Sequence, residues 1–326
     1  ETPAAGASRA QAAGAPADLL LPLKEGDYDE VIGDAVDPEQ DSGAAGATVL
    51  LDTQEIYRIV RAVAVADSGE DLYSAISADA EYNTPGHPAY GQAHYGLGFG
   101  LVLFQQAAGR LGAVLRLMQA RDPALFADIF DPGAGELLAT TNAATPQDRL
   151  KPVGGELLWS AGWVERFRKA GAVPAFQAAQ NEEAIEGQFR PMLNIAFNLG
   201  FVTDRGLAMV YDRVVTRGLG GGLRWVVQAA GPLRTAAQRE QALALLGFDD
   251  VLQFQNAAGW TPQTGRLGPE THAALVGALR RQGAISLPTS DDLAGRLVAA
   301  AAGPARTRLL RLRDLPAFSD TVYRLG

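Results

Sequence analysis

Acidic residues that could carry acid–base chemistry are grouped around the end of one predicted helix and the loop that follows it. Asp67 ends an apolar helical pattern, and Asp79 and Glu81 lie further along in Ser77-Ala-Asp-Ala-Glu-Tyr-Asn-Thr-Pro-Gly. A carboxyl group in a partly apolar environment has a raised pKa and can donate a proton to a leaving group. Taken alone, Asp67 is explained better as a residue that caps or ends its helix.

Other reactive residue types are scarce, which excludes several chemistries. The sequence has no cysteine, which excludes disulfides, thiolate zinc sites and cysteine nucleophiles. It also lacks the Gly-x-Ser-x-Gly elbow of a serine hydrolase. His87 and His94 flank a loop and His272 lies far along the chain, so we expect loop hydrogen bonds rather than a metal site. No cofactor is expected.

The composition predicts a globular protein with an acidic surface. The chain has 326 residues, 47% of them hydrophobic, and a net charge of −9, enough for one large domain or two modest ones. The negative charge disfavours nucleic acid and anionic lipid and favours a cationic polymer. No apolar run approaches the roughly 20 residues of a membrane span.

Hydrophobic periodicity predicts a mainly α protein. A first helix begins at a cap-like Asp52-Thr-Gln-Glu and runs towards Asp67. In the last predicted helix arginines alternate with leucines, which indicates a packing helix with a solvated basic face rather than a membrane-binding or partner-binding helix. The remaining predicted helices cover residues 100–118, 123–130, 156–170, 175–199, 204–217, 223–230, 238–246, 249–257, 270–282, 290–302 and 305–315.

One segment resembles the start of the catalytic cleft in lysozyme-like glycosidases. It is Val65-Ala-Asp-Ser-Gly-Glu-Asp-Leu-Tyr-Ser-Ala-Ile-Ser77, where that superfamily has a helix ending in Glu, then Ser, a short turn and Tyr-x-Ala-Ile-Ser. The resemblance implies that Asp67, one methylene shorter than Glu, is the proton donor. It also implies a second carboxylate that acts as base or nucleophile. Glu81 is preferred slightly over Asp79 for this role.

Two further segments resemble the chitosanases of this superfamily, in the same order along the chain. His94-Tyr-Gly-Leu-Gly-Phe-Gly-Leu-Val-Leu-Phe-Gln105 is similar to their Gly-rich turn, whose glycines would let a sugar approach the backbone. A nucleotide-binding loop is rejected because no apolar strand precedes the glycines and no Lys follows them. A glutamine-rich helix, a Phe-Arg-Pro step and a Tyr-Asp pair follow. The resemblance covers roughly residues 52–231 and implies a lysozyme-like, two-lobed helical domain.

The side chains that this resemblance places along the substrate are aromatic or polar. They are Tyr73, Tyr82, His94, Tyr95, Gln105, Gln180, Tyr211 and Asp212. For Tyr211 and Asp212, a core-lining polar pair that holds two helices together is an equal alternative.

The sequence divides into three predicted regions. Residues 1–50 form an acidic, Ala/Gly/Pro-rich arm that is a candidate for protein assembly, and residues 51–232 form the chitosanase-type domain. Residues 233–326 form a helical unit, in which Phe-Gln, a Gly-bounded turn and Gly-x-x-Thr-x-x-Ala-Leu resemble a peptidoglycan-binding module. A helical appendage that only packs on the main domain is an alternative.

The resemblance implies an enzyme that hydrolyses a β-linked amino-sugar polymer, chitosan or peptidoglycan. Asp67 would protonate the leaving oxygen, Glu81 or Asp79 would position water, and Tyr73, Tyr95 and Gln105 would line subsites. It also implies a secreted or cell-envelope-associated protein. The alternative is a catalytically degenerate glycan-binding or structural protein on the same scaffold, because Asp67 replaces Glu.

Overall fold

The computed structural model describes residues 49–68, 72–78, 86, 95–260, 263–319 and 321–325. Within these residues it contains fifteen α-helices, one π-helix and five short strands, so the predicted mainly α class is confirmed. The predicted arm lies outside the described residues except for its last two, and its role in assembly stays a prediction.

The helices follow one another with short connections. Their bounds are α1 Thr53–Ser68, α2 Arg110–Arg121, α3 Pro123–Phe130, α4 Ala134–Thr141, α5 Pro146–Arg149, α6 Ala161–Gly171, α7 Pro174–Ala184, the π-helix Ile185–Phe189, α8 Arg190–Asn198, α9 Asp204–Arg217, α10 Leu219–Ala230, α11 Ala236–Leu245, α12 Val251–Ala257, α13 Pro269–Arg281, α14 Ser290–Ala300 and α15 Gly303–Arg313. The strands are β1 Val49–Leu50, β2 Ile76–Ala78, β3 Leu97–Phe99, β4 Phe104–Gln105 and β5 Tyr323–Arg324.

Helix α1 forms where the sequence predicts it. Asp52 accepts a hydrogen bond from the backbone N–H of Glu55 at 2.9 Å, which satisfies one of the free donors at the helix start. The face that carries Ile59, Val60 and Val63 is fully buried and packs against α9. Hydrophobic burial on this face therefore fixes the helix that ends in Asp67.

The Gly-rich segment forms a small sheet instead of the predicted helix start. Strands β2, β3 and β4 pair antiparallel in that order, with Ala78 opposite Leu97 and Gly98 opposite Gln105. Helix α2 begins only at Arg110, after Gly109 with φ 78°. The prediction of one helix over 100–118 is wrong in its first half. The apolar residues there are buried, but they lie in a turn and a strand instead of on a helix face.

The predicted helix over 175–199 forms with an irregular middle. Residues Ile185–Phe189 adopt a π-helical turn between α7 and α8, and Pro191 stands in the first turn of α8. Proline is tolerated at that position because the first N–H groups of a helix have no partner inside it.

The C-terminal helices pack directly on the earlier ones. Helices α14 and α15 contact α9, α13 contacts α8 and α10, and α15 also contacts α1. Their buried side chains belong to the same hydrophobic cluster as those of α1–α10. The proposed boundary between residues 232 and 233 stays a prediction.

A polar cluster joins the start of α1 to α9 and to the C-terminal strand. Arg58 donates to Asp204 at 2.9 Å and to the hydroxyl of Tyr323 at 3.1 Å. Asp204 is fully buried and also accepts from the backbone N–H of Ser319 at 3.0 Å. Strand β5 pairs parallel with β1 beside this cluster. The buried carboxylate thus holds three distant parts of the chain together.

We expect Asp204→Asn to lower the free energy of unfolding by about 2–3 kcal/mol, because the fully buried carboxylate loses its charge-assisted hydrogen bonds to Arg58 and to the backbone of Ser319. Urea denaturation measures this change. Glu186→Gln is the matched control, since Glu186 pairs with Arg190 at 2.8 Å on an exposed surface and should change stability by less than about 1 kcal/mol. Equal losses in the two variants would contradict the assigned role of Asp204.

Candidate functional site

The carboxyl group of Asp67 lies in a sheltered position near the end of α1. Its side chain is 13% exposed, and its Oδ1 lies 3.6 Å from the Nη1 of Arg308. Burial raises the pKa of Asp67 above its ordinary value, and the positive charge of Arg308 opposes part of that rise. The group is therefore held closer to protonation than a free aspartate while a cation is ready to stabilise its ionised form.

Arg308 is held in turn by a second carboxylate. Its Nε donates to Oδ1 of Asp212 at 3.1 Å, and Oδ2 of Asp212 accepts from Nε of Arg213 at 2.8 Å and from Nη2 of the same residue. The guanidinium carbon of Arg213 lies 5.6 Å from the ring centre of Trp225, within cation–π range. The result is a charge chain, Asp67–Arg308–Asp212–Arg213, whose signs alternate.

Three helices supply this charge chain. Helix α1 carries Asp67, the middle of α9 carries Asp212 and Arg213, and α15 carries Arg308. Asp212 and Arg213 are 1% and 2% exposed, so two opposite charges are buried in contact, where each offsets the desolvation of the other. Because α15 packs on both α1 and α9, Arg308 can reach the two carboxylates at once.

Arg308 is a residue of the candidate site that was not predicted from the sequence. Arg306 and Arg311 are exposed as predicted for a solvated basic face, but Arg308 points into the protein and pairs with Asp67 and Asp212. The sequence feature that indicates a further cation is the pair Asp212-Arg213 within the apolar pattern of α9. Arg213 bonds only Oδ2 of Asp212, so a further donor is needed for the buried Oδ1.

Two residues predicted to contact substrate are buried instead. Tyr211 has no exposed surface, and its hydroxyl donates to the carbonyl of Ala184 at 3.1 Å. Asp212 is occupied by its two arginines. In this structure both are buried polar residues that join helices, and their contact with substrate stays a prediction.

Gln180 is also a buried structural residue. Its Oε1 accepts from the backbone N–H of Leu101 at 2.8 Å and its Nε2 donates to the carbonyl of Tyr73 at 3.0 Å. It has no exposed surface in this structure, and its contact with substrate stays a prediction. Gln180 fixes the Gly-rich turn against the segment that follows Asp67.

The glycines of the turn leave room for protein side chains. A Cβ on Gly100, where φ is 80°, would overlap the side-chain amide of Gln180, and one on Gly96 would overlap Gln106 and Leu150. The prediction that these two glycines admit a sugar to the backbone is therefore wrong. They are needed for the packing of the sheet on the helices.

Tyr73 is half-buried and its hydroxyl is directed away from Asp67. The hydroxyl lies 3.1 Å from that of Tyr57 and donates to Oδ1 of Asn181 at 3.1 Å. Tyr57 precedes Asp67 by ten residues on α1, which corresponds to roughly 15 Å of helix rise. A subsite at Tyr73 would therefore lie well apart from the acid.

Tyr95 and Gln105 lie on the small sheet and keep some exposure. The hydroxyl of Tyr95 is 3.2 Å from that of Ser77 on β2, and Gln105 on β4 lines a shallow depression with Val215 and Gly218. Substrate contact at these two positions stays a prediction.

The remaining predicted site residues lie outside the described residues. They are Asp79, Glu81, Tyr82 and His94. The second carboxylate therefore stays a prediction. Among the described residues no three His, Asp or Glu side chains are grouped so that they could hold a metal ion. In the same part of the chain no helix is both long and apolar enough to cross a bilayer.

Comparison with known proteins gives similarity of structure only. No family model matches the chain and no curated protein matches it. A mutant chitosanase from Bacillus subtilis MY002 complexed with 6 GlcN is similar over 73% of this chain and 93% of its own, with 15% identity and a TM-score of 0.41. The native chitosanase from the same source has 16% identity over the same shares of the two chains and a TM-score of 0.39. Likeness at this level does not establish a shared family.

We expect Gly100→Ala to destabilise the protein by at least about 1 kcal/mol more than Gly154→Ala. Both glycines have positive φ, so both variants share the conformational cost of an alanine there. A Cβ at position 154 meets nothing within 4 Å, whereas one at position 100 overlaps the side chain of Gln180. Thermal and urea unfolding of the two variants measure the difference. Equal destabilisation would show that Gln180 does not require the glycine.

We expect the stability of Asp67→Asn relative to the wild type to improve as the pH rises. Because burial raises the pKa of Asp67 above its model-compound value of 3.8, the folded wild type favours the protonated carboxyl and loses that advantage as pH rises through the raised pKa. Asparagine does not titrate. Urea unfolding of both proteins across this pH window measures their relative stability. A relative stability of Asp67→Asn that stays constant or falls as the pH rises would contradict the raised pKa.

Proposed function

We propose that the protein hydrolyses a β-linked amino-sugar polymer, with chitosan as the favoured substrate and Asp67 as the proton donor. The observation that carries this proposal is the sheltered carboxyl of Asp67, 13% exposed and 3.6 Å from Arg308. A general acid must hold its proton until the leaving oxygen needs it and must then tolerate its own negative charge. Burial serves the first need and Arg308 serves the second.

Arg308, Asp212 and Arg213 act as positioning residues in this proposal. Two bonds to Asp212 orient Arg213, and a third bond from Arg308 to the other carboxylate oxygen orients Arg308. Because Asp212 holds it, Arg308 stays beside Asp67 without forming a bidentate ion pair with that carboxylate. This arrangement keeps the Asp67 oxygens partly available to a substrate.

Net charge supports chitosan over peptidoglycan. The chain carries a net charge of −9, and chitosan is a polymer of ammonium-bearing sugars. Attraction between the two raises the local substrate concentration and weakens as salt screens it. Because such a polymer is extracellular, the proposal also entails a secreted or cell-envelope location.

The second carboxylate is proposed from the loop that joins β2 to β3. Ala78 and Leu97 face each other across the sheet at the ends of this loop, and Glu81 and Asp79 lie within it. A carboxylate there would activate water in an inverting reaction or attack the sugar in a retaining one, depending on its distance from Asp67.

The second candidate function is glycan binding without hydrolysis. The ion pair between Asp67 and Arg308 favours it, because a carboxylate that stays paired with an arginine cannot donate a proton. The shorter side chain of aspartate also gives less reach towards a glycosidic oxygen than glutamate has.

Release of reducing ends from chitosan by the wild type, Asp67→Asn, Asp67→Glu and Asp128→Asn tests both functions. We expect an active wild type, a loss of about 10²–10⁴-fold in Asp67→Asn and no change in Asp128→Asn. Asp128 is the matched control because its side chain is 71% exposed and lies 3.8 Å from Lys169 on the surface.

The outcomes separate the two functions. Equal activity of Asp67→Asn and the wild type would overturn the assignment of Asp67. An inert wild type that still binds chitosan, together with hydrolysis by Asp67→Glu, would establish the degenerate glycan-binding protein instead.

A further inference from the structure

A pocket with no part in the Asp67 site opens among the C-terminal helices. It has a volume of about 410 Å³ and lies between the C-terminal end of α10, helix α11 and the segment after α13. Leu233, Leu245, Leu279 and Ile285 form its apolar wall. Leu245 is 55% exposed, so an apolar surface at the mouth is open to solvent. The size and lining are typical of pockets for small organic ligands.

One side of the pocket is positively charged. Arg234 and Arg296 line it, and none of the described lining residues is acidic. Arg234 donates to the carbonyls of Ala229 and Gly231, and Arg296 donates to that of Ala230. Both guanidinium groups therefore bond carbonyls within residues 229–231, at the end of α10 and beside the pocket. Neither forms an ion pair with another described residue, in a protein whose net charge is −9.

The backbone at the pocket is strained. Leu233 has φ 59°, a left-handed conformation that residues with a side chain rarely adopt. Arg239 donates to the carbonyl of Leu233 at 3.4 Å and to that of Arg234 at 2.9 Å, which holds this conformation. Strain of this kind is kept where a binding site requires a particular backbone shape.

A buried polar atom behind the pocket wall lacks a partner. His272 is 3% exposed, and its Nε2 forms no hydrogen bond with any described residue. Gly231 lines the pocket, and a Cβ at that position would lie 3.2 Å from this nitrogen. The missing side chain at Gly231 therefore leaves a thin wall between the pocket and an unused acceptor. A donor group or an ordered water completes such a nitrogen, whereas a carboxylate does not.

We propose that this pocket binds a small organic anion with an apolar body, of the class of medium-chain carboxylates. The carboxylate lies between Arg234 and Arg296, where two guanidinium groups give charge-assisted hydrogen bonds. The chain lies on Leu233, Leu245 and Ile285. This site is independent of the hydrolysis proposed for Asp67.

Calorimetric titration of the full chain with octanoate, octanol, octylamine and acetate tests the proposal. We expect octanoate to bind, octanol to bind at least about tenfold more weakly because it lacks the charge, and octylamine and acetate to give no binding. Equal affinity for octanoate and octanol, or stronger binding of octylamine, would overturn the assignment of an anion.

Two variants locate the binding to this pocket. Ala242→Phe fills the pocket and should abolish octanoate binding, whereas Ala244→Phe adds the same ring to an exposed position of the same helix and should leave it unchanged. Arg296→Gln should weaken octanoate about tenfold and leave octanol unchanged. Unaltered octanoate binding in either Ala242→Phe or Arg296→Gln overturns the proposal, and circular dichroism checks that each variant is folded.

Discussion

The buried carboxylate of Asp212 is the constraint on which the rest of the structure depends. A charge with 1% exposure in the middle of α9 would cost several kcal/mol without cations beside it. Arg213 supplies one cation from the same helix and Arg308 supplies the other from α15. Satisfying Asp212 therefore requires α15 to dock on α9, and that docking is what brings Arg308 to Asp67. The environment of the candidate acid is a consequence of the electrostatics of α9.

Arginine and aspartate join α9 to its neighbours at two levels. At the first residue of α9, Asp204 receives Arg58 from α1 and the backbone of the C-terminal segment. Two turns later Asp212 receives Arg308 from α15. Between these levels α1 and α9 meet through apolar side chains such as Ile59 and Val63, which are fully buried. Apolar packing supplies most of the stabilisation, while the ionic contacts fix the register of the helices.

Much of the fold follows from the sequence, whereas most of the site does not. The helical spacing of Ile56, Ile59, Val60 and Val63 predicts α1 because a helix buries one face. The same reasoning fails at residues 101–109, where Gly100 and Gly109 bend the chain and apolar residues are buried from a turn. Sequence reasoning is also insufficient at Gln180. A glutamine that hydrogen-bonds the backbone of a buried turn cannot be told apart, in the sequence, from one that contacts a ligand. Arg308 could not be predicted, because the arginines of a basic helix face cannot be told apart until the neighbouring helix is known.

The supply of Arg308 by α15 has a consequence for the order of assembly during synthesis. Arg308 follows Asp212 by 96 residues, which a ribosome adds in roughly 5–20 s. Through that interval α9 is complete, but its carboxylate has only the cation from its own helix. Asp212 has no second cation until α15 leaves the ribosome, so the environment of Asp67 forms only after α15 is available. A chain released before α15 would lack the buried leucines of that helix and the second cation on Asp212, and cellular proteases remove products of this kind.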